Sequence, residues 1–169
     1  MDKNRQNNII LVDENDNEIG VAEKLVAHKN AQLHRAFSIF IFNRKSELML
    51  QKRARHKYHS GELWTNTCCS HPRPGENTES AAHRRLKEEM GFDCPLAEKF
   101  HFTYTASFGN GLAENEFDHV FIGTYDQEPR VNSQEASGWR WMNVPDLKKD
   151  IDKNPQNYTH WLKIAIDKF

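Results

Sequence analysis

Long hydrophobic runs, cysteines and blocks of like charge are all scarce in this 169-residue sequence. No stretch reaches the ~18 consecutive apolar residues of a membrane helix, and the polar first residues lack the apolar core of a signal peptide. The three cysteines are an odd number and two are adjacent, which argues against a disulfide framework and predicts reduced thiols. These absences predict a cytoplasmic protein with no membrane partner.

Basic and acidic side chains nearly balance, with 23 lysines and arginines against 24 aspartates and glutamates. Because no long basic run is present, a dominant role in binding nucleic acid is disfavoured. Hydrophobic residues make up 37% and aromatic residues 11%, enough to build a core in a chain of single-domain length. We expect one domain over residues 1–169 with a flexible N-terminus at residues 1–8. Without a heptad seam, a monomer is the default expectation.

Hydrophobic periodicity predicts a mixed sheet with helices packed on it, an α+β domain with α/β/α layers. The clearest helix begins near Asn77 and ends before Gly91, because Ala82, Leu86 and Met90 recur every four residues. Strands are predicted over residues 9–12, 19–21, 36–42, 48–53, 100–107, 116–125 and 139–142. Further helices are predicted over residues 145–151 and after Pro155.

The predicted helix carries Arg84, Arg85, Glu88 and Glu89, which taken alone form an ordinary salt-bridged helix face. Glu76 precedes Arg84 by eight residues, and with it the segment resembles the Nudix box, a loop-helix-loop that binds divalent cations and diphosphates. Arg85 stands where that box usually has a second acidic residue. This difference disfavours ordinary Nudix hydrolysis.

Adjacent Cys68 and Cys69 lie two residues before His71, just ahead of the helix. A thiol near cationic groups exchanges protons close to neutral pH, so a cysteine here is a candidate proton carrier. The alternative is a small buried core residue, which is our interpretation of Cys68.

Three histidines and two glutamates suit a divalent cation: His28, His34, His71, Glu114 and Glu116. In an extended segment Glu114 and Glu116 point to one face, so both carboxylates reach one ion. Mn²⁺, Mg²⁺ and Zn²⁺ all accept this set of ligands, and the choice among them stays open. Unrelated surface groups are the alternative, because nine histidines in 169 residues produce clusters by chance.

Four basic residues accompany the metal candidates: Lys24, Arg53, Lys57 and Arg85. A diphosphate needs lysine or arginine donors together with a cation to neutralise its oxygens. Taken as individual residues, these four are better explained as solvated surface.

Together these residues resemble the type 1 isopentenyl-diphosphate delta-isomerases, a family with the Nudix fold, from about residue 9 to the chain end. The most specific marks are residues 65–72 (TNTCCSHP), residues 114–116 (ENE) and Arg84-Arg85 in the box. The resemblance implies a Nudix-like mixed sheet with flanking helices. It also implies interconversion of isopentenyl diphosphate and dimethylallyl diphosphate, small homoallylic and allylic substrates.

The resemblance further implies a role for each matching residue. The catalytic residues fall on Cys69, Glu116 and Tyr104. The metal ligands fall on His28, His34, His71, Glu114 and Glu116, while Glu89 matches a carboxylate that helps to hold Mg²⁺ on the substrate diphosphate. The diphosphate contacts fall on Lys24, Arg53, Lys57 and Arg85, and Trp161 falls near the hydrocarbon tail.

The chemistry requires one proton to be added and another removed on opposite sides of the substrate. In this hypothesis Glu116, assisted by Tyr104, delivers a proton to the alkene and Cys69 removes one, while the opposite assignment of donor and acceptor stays open. The indole of Trp161 faces the tertiary carbocation, with core packing as its alternative role.

Two other functions are compatible with the sequence. The first is a Nudix hydrolase that releases phosphate from diphosphates, against which Arg85 and Cys69 both argue. The second is a binding module without activity, in which the three histidines only brace the fold around a metal.

Overall fold

The computed structural model describes residues 7–169, so most of the expected flexible N-terminus, residues 1–6, lies outside the described part. The helices and strands of residues 7–169 follow one another in this order: β1 (Asn8–Val12), β2 (Glu18–Glu23), α1 (Lys24–Lys29), β3 (His34–Phe42), β4 (Glu47–Arg53), β5 (Trp64–Thr65), β6 (Cys68–Ser70), α2 (Thr78–Met90), β7 (Leu96–Ser107), β8 (Ala113–Thr124), β9 (Ala136–Asn143), α3 (Val144–Lys153) and α4 (His160–Ile166). Within residues 7–169, no helix is both long enough and apolar enough to span a bilayer.

The sheet is mixed, as the sequence predicted, and strand β3 lies at its centre. It runs parallel to β8 over its whole length and antiparallel to β1, β4 and β6, while β8 also pairs with β7. Strands β3 and β4 follow each other in a hairpin, but the two strands share only the pair Phe42 and Leu48. Beyond that pair β3 pairs with β6, whereas β4 pairs with β5 and β9. Strands β3 and β4 therefore separate at this point of the sheet.

Helices cover the two faces of β3, and the strand is buried on both of them. Phe37, Ile39 and Ile41 pack with Leu86 of α2 on one face. Phe40 packs on the other face with residues of α3 and α4. A strand buried on both sides reads as a continuous apolar run, which explains the pattern of residues 36–42. The α/β/α layering is therefore confirmed.

Helix α2 begins and ends where the sequence signals placed it. The Asn77 side chain accepts a hydrogen bond from the Ser80 amide at 3.1 Å, which makes Asn77 the N-cap. Gly91 follows the helix with a φ of 75°, and a Cβ at this position would lie 2.5 Å from the Arg130 carbonyl oxygen. Only glycine fits both the backbone angle and the close approach.

The last helix begins later than the sequence predicted. Residues 155–157 form a single 3₁₀ turn, and α4 starts only at His160. Between them Tyr158 is extended and bridges to Trp64, whose carbonyl accepts a hydrogen bond from the Thr159 amide at 3.0 Å. This tertiary contact interrupts the helix and leaves Trp161 in the first turn of α4.

Candidate active site

A row of side chains crosses three neighbouring strands at one end of the sheet. Tyr104 of β7 pairs with Glu116 of β8, and Glu116 pairs with His34 of β3. Glu114 lies two residues before Glu116 and therefore points to the same face of β8. Strand register alone brings a phenol, two carboxylates and an imidazole together, all of them buried.

The imidazoles of His28 and His34 are oriented as neutral metal ligands. Nδ1 of His28 lies 2.7 Å from the Lys24 carbonyl oxygen, and Nδ1 of His34 lies 2.8 Å from the Gln32 carbonyl oxygen. A carbonyl only accepts, so Nδ1 carries a hydrogen, and in the neutral imidazole the lone pair is then on Nε2. Both Nε2 atoms are buried and have no hydrogen-bond partner among the described residues.

Burial also keeps two imidazoles neutral. It lowers the pKa of His28 to about 4, with a further contribution from nearby His34. Burial likewise lowers the pKa of His71 to about 3, and the neighbouring charge of Lys24 acts in the same direction. Neutral imidazole is the form that binds a metal ion.

The buried histidines and glutamates fit a divalent cation. One donor atom from each of His28, His34, His71 and Glu116 lies within 4.8 Å of the others, and a second group of this kind contains His28, His59 and Glu114. His71 hydrogen-bonds to Glu116, but the Nε2 atoms of His28, His34 and His59, unpartnered within residues 7–169, are buried beside carboxylates. A cation between these groups would offset the cost of that burial. The predicted ligands therefore form a possible metal site.

Tyr104 links the two carboxylates of this site. Its hydroxyl lies 2.8 Å from Glu114 Oε2 and 2.7 Å from Glu116 Oε2. Burial, together with the charges of the two glutamates, raises the pKa of Tyr104 well above its usual value, so the phenol keeps its proton. Burial opposes ionisation of Glu116, but His34 and His71 hold the pKa of its carboxyl well below the usual range. Tyr104 thus carries the hydrogen-bonding proton beside an ionised Glu116.

The segment before Cys69 is held by a buried polar network that the sequence did not reveal. The Asn66 amide donates to the carbonyls of Ile39 and Cys68 at 3.1 and 2.8 Å. The Thr67 hydroxyl donates to the Met49 carbonyl at 2.7 Å. These bonds tie strands β5 and β6 to β3 and β4, because the two short strands have little pairing of their own.

The adjacent cysteines face opposite sides of the sheet. Cys68 is fully buried in the core beneath α2, whereas Cys69 packs near α4 and lines the cleft. Burial raises the pKa of Cys69 to about 12, although the Arg53 guanidinium, 4.0 Å from Sγ, acts in the opposite direction. The Cys69 thiol is therefore protonated at rest.

The four predicted diphosphate contacts also line the cleft. Arg53 is fixed by backbone carbonyls, since its Nε donates to Ser60 at 3.1 Å and its Nη2 to His59 at 3.3 Å. Burial, with the nearby charge of Arg53, lowers the pKa of Lys24. Desolvating a cation in this way strengthens its attraction for an anion.

Arg85 and Lys57 share a carboxylate that the sequence reasoning missed. Arg85 bonds to Glu135 at 3.0 Å as well as to Glu89 at 2.5 Å, and Lys57 also donates to Glu135. Glu135 lies in a loop, 50 residues from Arg85 and 78 residues from Lys57 in sequence, so no local pattern could have found it. It orients both cations toward the cleft.

Trp161 is nearly fully buried and forms one wall of the cleft. Its indole N–H donates to Asn66 Oδ1 at 3.2 Å, and the Arg53 guanidinium lies 5.2 Å from its ring. Trp161 packs in the core and also faces the cleft, so its position is compatible with both proposed roles.

One cleft unites most of the predicted residues, and His28 and His34 are buried beside it. The predicted residues that line it are Lys24, Arg53, Lys57, Cys69, His71, Arg85, Glu89, Tyr104, Glu114, Glu116 and Trp161. The sequence reasoning missed His59, which also lines the cleft and lies 3.0 Å from Glu114. The sequence shows a histidine at position 59, but no local sequence pattern links it to Glu114.

The fold and the cleft define a NUDIX-domain protein, since residues 32–162 match the family described as NUDIX domain. The solved structure of DR0079 from Deinococcus radiodurans has the same fold, with a TM-score of 0.81 at 20% identity over 95% of this chain and 98% of that one.

Relatives of higher sequence identity identify the family within this class. The chain is 53% identical to isopentenyl-diphosphate delta-isomerase 2 of Aromatoleum aromaticum over 96% of this chain and 86% of the relative. It is 54% identical to isopentenyl-diphosphate delta-isomerase 2 of Photorhabdus laumondii over 94% of this chain and 90% of the relative. The chain belongs to the isopentenyl-diphosphate delta-isomerase family, which confirms the resemblance seen in the sequence and favours it over the hydrolase and the inactive binding module.

Proposed function

We propose that the cleft interconverts isopentenyl diphosphate and dimethylallyl diphosphate by moving protons between Cys69 and the Tyr104 and Glu116 pair. The reaction itself follows from membership of the isomerase family. The observation that supports these residues is that one cleft is lined by a protonated thiol, a protonated phenol and an ionised carboxylate.

The two substrates differ only in the position of a double bond. Isomerisation adds a proton at one carbon and removes another two carbons away, passing through a tertiary carbocation. Water would trap that cation, so the reaction needs a dry site. Tyr104, Glu114, Glu116 and Trp161 are all at least nine-tenths buried, which supports the exclusion of water from this part of the cleft.

Two groups exchange protons with the substrate in this mechanism. Glu116 delivers a proton through the Tyr104 hydroxyl, which touches Oε2 of the carboxylate at 2.7 Å. Cys69 takes the second proton from the other face of the substrate. The reaction is reversible, so one transferable proton is shared between Cys69 on one side and Tyr104 with Glu116 on the other. The side that donates the proton in one direction of the reaction accepts it in the other direction.

The resting state places that transferable proton on Cys69, since the thiol is protonated and Glu116 is ionised. From this state, Cys69 acts as donor in the conversion of dimethylallyl diphosphate to isopentenyl diphosphate. The forward conversion requires the proton to pass first to the side of Tyr104 and Glu116.

His28, His34, His71, Glu114 and Glu116 would hold a divalent cation, for which Mn²⁺, Mg²⁺ and Zn²⁺ are the candidates. The bound cation supplies a positive charge that fixes the Glu116 carboxylate beside the substrate. Glu89 would help to hold a further Mg²⁺ on the substrate diphosphate. Its two carboxylate oxygens now accept hydrogen bonds from Arg85 and Gln51, so binding would rearrange these contacts.

The diphosphate and the hydrocarbon tail would contact different parts of the cleft. Lys24, Arg53, Lys57 and Arg85 neutralise the diphosphate, and Arg53 is already fixed for this by two carbonyls. The Trp161 ring accepts a cation on its face, as its contact with Arg53 supports. A desolvated contact between a cation and an indole contributes about 2 kcal/mol.

An NMR assay in heavy water tests this function. Isopentenyl diphosphate with Mg²⁺ and the protein should yield dimethylallyl diphosphate that carries deuterium from the solvent. Release of inorganic phosphate with no isomerised product, also after loading with Mn²⁺ or Zn²⁺, would instead identify a hydrolase and refute the proposal.

Replacing Tyr104 by phenylalanine should lower kcat by about 10²-fold, because the variant keeps the ring but loses the hydroxyl that relays the proton. KM and metal content should stay close to those of the parent protein, since the phenol is not among the proposed ligands. Steady-state kinetics and metal analysis check this. Undiminished turnover would remove the tyrosine from the mechanism.

A further inference from the structure

His59 lies in the loop between β4 and β5 and is 6% exposed. Its ring stacks on Phe108 with centroids 4.3 Å apart and an angle of 8° between the planes. This packing aims Nε2 at the metal candidates, where it lies 3.0 Å from Glu114 Oε1. No role has been assigned to this histidine so far.

The contact between His59 and Glu114 is not a hydrogen bond. Nε2 of His59 is buried and has no hydrogen-bond partner among residues 7–169, although a carboxylate oxygen is 3.0 Å away. Nε2 of His34 has the same relation to Glu116 Oε1, at 3.4 Å. Neighbouring ligands of a six-coordinate ion lie about 3 Å apart when the bonds measure about 2.1 Å. Imidazole nitrogens and carboxylate oxygens that lie about 3 Å apart without a hydrogen bond are therefore typical of ligands that converge on one cation.

His28 indicates that one ion is involved rather than two. It belongs to the group with His34, His71 and Glu116 and also to the group with His59 and Glu114. Its Nδ1 is engaged by the Lys24 carbonyl, so only Nε2 is available to a metal ion. A single nitrogen lone pair cannot serve two separate ions at once.

We propose that His59 is a fourth imidazole ligand of the single cation centre. The two groups of donor atoms share His28, and a cation that drew them together would be held by four imidazole nitrogens and one oxygen each from Glu114 and Glu116, which is an octahedral set. Such a complete set would leave no position for water on the ion, which would then serve to fix the two carboxylates. Four imidazoles also favour a transition ion such as Mn²⁺ or Zn²⁺ over Mg²⁺, which prefers oxygen ligands.

The inference rests on the cation centre of the proposed function, so its test counts ligands rather than turnover. The full-length protein is loaded with Mn²⁺, and pulsed EPR counts the coordinated histidine nitrogens while elemental analysis gives the number of ions bound. The parent protein is compared with His59→Gln. The matched control is His56→Gln, which changes an exposed histidine of the same loop.

Four coordinated nitrogens in the parent protein and in His56→Gln, with three in His59→Gln and one ion per chain, are expected. Three nitrogens in the parent protein would overturn the inference and make His59 a neighbour that only positions Glu114. Two ions per chain, or no bound ion, would also overturn it. If His59→Gln does not fold, the count in the parent protein still decides. Isomerase activity with three nitrogens refutes only this inference, whereas four nitrogens without isomerase activity refute only the proposed function.

Discussion

Replacing Cys69 by alanine should lower kcat by roughly 10³-fold, because the variant loses one of the two groups that exchange protons with the substrate. The thiol contacts no proposed metal ligand by hydrogen bond, and Cys69 is only partly buried, so folding and metal content should not change. Kinetics by NMR in heavy water, together with thermal unfolding and metal analysis, measure all three quantities. Turnover near the parent value would exclude Cys69 as a proton carrier.

The neighbouring cysteine provides a matched control. Cys68→Ala removes the same sulfur atom one residue away, but on the face of the sheet that packs under α2. This variant should keep its kcat, while the free energy of unfolding falls by about 1–2 kcal/mol because a buried side chain is shortened. Equal loss of activity in both variants would mean that packing, rather than proton transfer, explains the effect at Cys69.

Replacing Glu116 by glutamine should reduce kcat by at least about 10³-fold and also weaken metal binding. Glutamine preserves the volume and still accepts a hydrogen bond from Tyr104, but it removes the charge that faces His34 and His71. Loss of even an outer partner of a metal site costs about 10–100-fold in affinity, so loss of a direct ligand should cost at least as much. Metal titration and single-turnover kinetics measure the two effects separately.

Glu98→Gln is the control for this substitution. Glu98 is an exposed residue of β7, and its carboxylate pairs with His119, which is not one of the proposed site residues. It should leave both metal affinity and kcat unchanged. A Glu116→Gln variant that retains full metal affinity would remove Glu116 from the ligand set. Retention of full turnover would remove it from the catalytic pair.

Periodicity predicted the long elements well because their apolar faces recur over many residues. Strands β3, β7 and β8 and helix α2 were all predicted from the sequence, and the caps of α2 were found by residue type. Helix α1 and strands β5 and β6 were not predicted. Each of them has six residues or fewer, too short for a periodic pattern, and β6 depends on hydrogen bonds to β3.

The site residues were named through the family resemblance, and the structure brings them into or beside one cleft. Their individual roles stay predictions until the variants are measured. Residues outside the matching motifs were missed for a physical reason. His59 and Glu135 act on partners 55 and 50 residues away, at Glu114 and Arg85, and a contact across such a separation leaves no local signal.

The sequence by itself determined the layered α+β fold, the reduced cysteines and the family, because these depend on composition, periodicity and motif spacing. Only the tertiary structure decided which face each cysteine occupies, that Tyr104 joins both carboxylates, and that His59 points at Glu114. These features arise from strand register and from loops that pack across the cleft. Both are set by the free energy of burying distant segments together, which no local stretch of sequence contains.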